Sequence, residues 1–173
     1  MRNTTTIKGL AELLQVVDVL ERLHETLGDV IDAKLSAMKR ADVHAMRDFG
    51  EQEQALAARI REREGLRRQI MDRIGDALGF VGGRARTLSA VQLADHLLDP
   101  QRRELLDATE SLGRSVRRVA QINRVAGVTT REMLHHLRWV VSSVRPQRAA
   151  TSGYAGDGTL VSPSDTIIFD AVG

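Results

Sequence analysis

The chain has 173 residues, 42% hydrophobic and 28% charged, with no Cys and a formal net charge of +2. That length suits one domain, and the lack of Cys excludes disulfides and thiolate metal sites. Aromatic residues make up only 3%, so a core must come from Leu, Val, Ile, Ala and Met, which fill narrow helix seams better than a thick globular interior. No run approaches the roughly 20 apolar residues of a membrane span. The opening MRNTTTIKGLAELLQ has no apolar stretch of a secretory signal, so no stable membrane insertion and a cytosolic location are expected.

From Ile7 to Met38 the apolar residues recur every three or four positions. Leu10, Leu13, Val17, Leu20, His24, Leu27, Ile31 and Met38 share a heptad seam, with Lys34 its lapse. This predicts a long amphipathic helix. Leu14, Val16, Val19, Leu23 and Val30 widen the stripe enough to meet two partners. The pattern falters at Lys39–Ala41, and Asp42 is placed to cap a second helix. Its seam runs through Met46, Phe49, Glu53, Leu56, Ile60, Ile70, Ile74 and Ala77, interrupted by Arg63 and Arg67 with Leu66 beside them. Leu78-Gly79 supplies the stop. Two long helices joined by a few residues run antiparallel.

Residues 79–87 read as a loop, and Thr87 as the cap of a short helix over 88–97. Asp99-Pro100 then begins a third long helix, with Asp as N-cap and Pro in the first helical position. Its expected seam is Leu105, Thr109, Leu112, Val116, Val119, Asn123, Ala126, Met133, Leu137, Val140 and Val144, ending at Pro146. Gly127 weakens this helix, and Thr129 with Glu132 offers a capping box that would restart it; a continuous or slightly kinked helix is expected. The fold class is therefore all-α: a long antiparallel hairpin, a short helix and a third long helix, as a coiled-coil-like bundle over 1–146. A flexible tail is expected over 147–173, rich in Gly, Ser, Thr and Asp.

Few constellations carry chemistry. Glu21–His24 and Glu132–His135 have the Glu-x-x-His spacing of di-iron bundles, but the short helix has no Glu to complete the set. Gly79 to Gly83 lacks the Lys-Ser/Thr of a phosphate loop, and AGDGT in the tail has one carboxylate, too few for calcium. No catalytic, metal or cofactor site is expected. Residues 101–148 hold ten Arg against four acids, a basic stripe that nucleic acid would favour. No aromatic set is interleaved to stack bases, so no nucleic acid partner is expected, and the acids of the first two helices can neutralise these Arg. Trp139 lies off the seam. With Leu134, Leu137, Val140 and Val141 it makes an apolar surface that either the short helix covers or a partner helix uses.

The two opening helices, the Glu53/Leu56 and Glu62/Glu64/Leu66 pattern, and the short TLSAVQLADHL together resemble the FlgN family of flagellar export chaperones. So do RRVAQINRVAGVTTREMLHHLRWVV, with its mid-helix Asn123, and the tail GYAGDGTL. The chain departs from that family's pattern at Ala126 and Gly127, where a second Asn often stands, and at Ala155, where Gly is usual. The resemblance implies a cytosolic chaperone, not an enzyme, without nucleotide hydrolysis. Its clients would be the hook-filament junction proteins FlgK and FlgL, held by terminal amphipathic segments and delivered to the flagellar type III export gate. Partner-binding residues would be Asn123, Met133, Leu134, Leu137, Trp139, Val140, Val141 and Val144, with Tyr154 on the Gly-rich tail, in a monomer or homodimer. The rival readings are a self-assembling structural coiled coil and a basic nucleic-acid-binding bundle.

Overall fold

Leu, Val and Ile repeated along one side of a helix drive that side out of water. The computed structural model describes residues 9–80 and 88–144, the last by its backbone alone. Among them the chain forms α1 (Leu10–Lys39), α2 (Val43–Ala77), α3 (Ala90–Ala94) and α4 (Gln101–Val144), with no strand. The all-α expectation holds. The chain divides into two units, Met1–Arg131 and Glu132–Gly173.

In the first unit α1 and α2 make the antiparallel hairpin. Lys34 of α1 holds Glu53 of α2 at 2.8 Å, and Glu12 near the start of α1 holds Arg73 near the end of α2 at 2.8 Å. Lys34 and Glu53, each a lapse in its own apolar seam, thus lapse towards one another. The turn between the helices satisfies their loose backbone groups. The Asp42 N–H donates to the Ala37 carbonyl and the Ala41 N–H to the Met38 carbonyl, both at 3.0 Å, with Ala41 in the left-handed region at φ 54°. The Asp42 carboxylate then accepts from the Ala45 N–H at 3.1 Å, as its capping position requires. α2 ends in the same way, with Gly79 at φ 83° and the Phe80 N–H donating to the Gly75 carbonyl at 3.0 Å.

The α1 seam is buried along its length, as is much of its widened stripe, including Val16, Leu23 and Val30. His24 is half-buried, its Nδ1 2.8 Å from the Leu20 carbonyl oxygen. On α2, Leu56, Ile70 and Ile74 are buried, but Ala77, expected on the seam, is exposed. Leu10, Leu13, Leu20, Ile70, Ile74 and Leu105 belong to one apolar cluster, which α3 enters through Leu93 and Ala94. A second cluster holds Leu23, Leu27, Ile31, Leu56 and Val119, with Ile122 and Ala126 against it. The start of α4 therefore meets the start of α1, and later α4 meets later α1. The two run parallel, with α2 antiparallel to both.

Three local expectations are corrected. The short helix has five residues, not ten, and its cap is Ser89. The Ser89 hydroxyl accepts from the Gln92 N–H at 3.2 Å while the Gln92 side chain accepts from the Ser89 N–H at 2.9 Å. Thr87, the expected cap, lies outside the described residues. At the start of α4, Asp99 takes the Arg103 guanidinium at 2.9 Å. Pro100 flanks the helix instead of opening it, and its carbonyl accepts from the Glu104 N–H at 3.1 Å.

The third correction is the phase of the α4 seam. Leu105 and Val119 are buried and Leu112 and Ala126 half-buried, as expected. Between them, however, Ser115 is buried and Ala108 and Ile122 are half-buried, while of the expected positions Thr109 is half-buried and Val116 and Asn123 are exposed. Polar contacts to α1 set this rotation. The Ser111 hydroxyl donates to Glu21, and Arg118 reaches Asp29 at 2.9 Å and Asp32 at 3.5 Å. The helix passes Gly127 without a break. Thr129 lies inside it, so the capping-box restart does not form.

Candidate functional site

Arg118 crosses α1 at Gly28. A Cβ there would stand 3.3 Å from the Arg118 Nη1 and 3.6 Å from the Ile122 Cδ1, so Gly28 lets α4 approach. The Asp29 hydrogen bond, aided by Asp29, Asp32 and Glu25 charge, raises the Arg118 pKa above its already high ordinary value. The guanidinium thus stays charged at any workable pH. Only this α4 arginine, among the described residues, is paired with an acid of α1 or α2. Arg102 pairs with Asp95, Arg103 with Asp99 and Arg114 with Glu110. Arg117, Arg124 and Arg131 have no ion pair among the described residues. The expected neutralisation of the basic helix by the first two helices is therefore confined to Arg118.

Within the first unit, at the end of the hairpin nearest its turn, lies an open cleft of about 240 Å³. Its apolar lining is Ile31, Leu35 and Met38 of α1, all buried. The Lys34–Glu53 pair stands along it, and α4 contributes Asn123, Ala126, Gly127 and Thr130. Two small residues in succession, Ala126 and Gly127, leave this space open. Asn123, proposed from the sequence as a partner-binding residue, lines this cleft; Gly127 was read there as a weak point of the helix and a departure from the family's pattern.

In the second unit, residues 132–144 are helical. Leu134 is 49% exposed, Leu137 55%, Trp139 62% and Val141 65%. Met133 and Val140 are half-buried. Each residue advances a helix by about 100°, which puts Leu134, Leu137 and Val141 on one face and Trp139 on the opposite side. There the His136 ring stacks against the Trp139 indole, with centroids 6.0 Å apart and planes 25° apart. Val144 is described by its backbone alone, and Tyr154 lies outside the described residues.

Glu21, of the first Glu-x-x-His pair, accepts from Ser111, and Glu132 and His135 of the second are exposed. No helix among the described residues is long and apolar enough to cross a membrane. Comparison with curated proteins and with solved structures gave no match. The model of one family, described as FlgN protein, matches residues 1–162, which takes in every helix described above. This is a family of chaperones and not of enzymes, and its members bind flagellar hook-associated proteins. The chain belongs to the FlgN family of flagellar export chaperones.

Proposed function

We propose that this chaperone works in the cytosol on the hook-filament junction proteins FlgK and FlgL. It holds their terminal amphipathic segments, keeps them from associating early and brings them to the export gate. The bundle over 1–146 does the holding, and the tail over 147–173 offers Tyr154 for docking. The observation that supports this most is the exposure of Leu134, Leu137, Trp139 and Val141 within eight residues of one helix. Apolar groups left in water at that density mark an interaction surface. A client helix buries its own i, i+3, i+4 and i+7 residues against such a face.

The test is co-purification with a FlgK-like client. Leu137→Asp and Val141→Asp each place a charge on the exposed face and remove client retention. Helicity by circular dichroism stays nearly unchanged, because neither side chain is part of the core. Retention that survives both changes contradicts the assignment of the surface. The same Leu134/Leu137/Val141 face also fits a second copy of the chain, which keeps the self-assembling coiled coil as the second reading. Sedimentation separates them: a stable oligomer indifferent to client favours self-assembly.

A further inference from the structure

The cleft near the hairpin turn lies in the first unit and differs in kind from the helical face at 134–141. Its three buried aliphatic residues already have a place in the core, yet one side of each borders open space. We propose that this cleft is an anchor pocket, which receives one large apolar side chain of the client with a carboxylate as its neighbour. This rests on the client-binding reading above and assigns to it a second, deeper contact.

Size argues for the side chain. A cavity of about 150 Å³ holds a benzene molecule, so a cleft of about 240 Å³ takes a Leu, Met or Phe side chain. The lining is apolar where such a group would end, at Ile31, Leu35 and Met38. Charge argues for the carboxylate. Lys34 and Glu53, in contact at 2.8 Å along the cleft, neutralise one another. Arg131 does not have such a partner among the described residues, and its Nη1 lies 3.6 Å from where a Cβ of Gly127 would stand. The rim is therefore cationic where the pocket opens along α4. Asn123, exposed on the α4 side of the cleft, has both a donor and an acceptor for a client backbone.

Gly127 makes the inference testable without harming the fold. A Cβ there would meet only the far end of Arg131, and any residue other than Gly or Pro favours the helix more. Gly127→Leu therefore fills the cleft from within while the free chain keeps or raises its Tm. The full-length chain and its variants are titrated with a purified FlgK-like client. Gly127→Leu is expected to weaken binding about tenfold to a hundredfold, the effect of losing one buried Leu-sized anchor. Arg131→Glu is expected to weaken it most at low salt. If the wild-type chain binds no client, the functional reading falls and this inference falls with it. If wild type and Gly127→Leu bind alike, the pocket alone is overturned. If Gly127→Leu changes the sedimentation of the free chain, a second copy fills the cleft and the inference is likewise overturned.

Discussion

Ala41 occupies a position where glycine is the easier choice. It closes α1 at φ 54°, a conformation that crowds the Cβ of an L-residue against the following carbonyl. Glycine takes it freely but is looser in the unfolded chain. The balance favours Ala41→Gly by up to about 1 kcal/mol, read as a rise in the urea midpoint at constant m; a fall would show that the turn does not need the left-handed residue. Gly79 closes α2 at φ 83° and was legible as a stop because the sequence places a glycine there. Ala41 was not, since an alanine carries no such signal. Asp42 was legible because a side-chain cap is a property of residue type and place. Lys34 was visible only as a lapse and Glu53 only as a polar member of its seam, for nothing in a linear pattern says that two polar residues 19 positions apart face each other.

At the scale of the element, α1 shows how far periodicity reaches. Its seam has one apolar phase, and that phase is the buried one. α4 has two, because Leu105, Leu112, Val119 and Ala126 serve both, and the residues between them decide. Val116 is the more apolar choice over Ser115, yet Ser115 is buried and Val116 is 41% exposed. The deciding contacts are Ser111 to Glu21 and Arg118 to Asp29 and Asp32, which are tertiary and so invisible to a count of apolar positions. The consequence is measurable. Val119→Ala is expected to cost about 1–2.5 kcal/mol, as truncation of a packed aliphatic does. Val116→Ala should stay within about 0.5 kcal/mol. Equal costs in denaturant unfolding would mean that α4 packs in the other phase.

For the whole molecule, the fold class was readable because helix periodicity runs through most of the chain. Of the candidate site, the exposed apolar residues at 134–141 were readable as apolar, but their division into two faces with Trp139 apart follows from helix geometry. The cleft was not readable, because it is made by what Ala126 and Gly127 lack and by three helices meeting. The central claim is that α4 carries the client. Hydrogen exchange of the full-length chain with and without a FlgK-like client tests it most directly. The account predicts that client binding slows amide exchange in α4 between residues 123 and 143, with the amides of Leu20, Ile70 and Ile74, already in the core, unchanged. Protection that appears on α1 and α2 while α4 exchanges as in the free chain would contradict it.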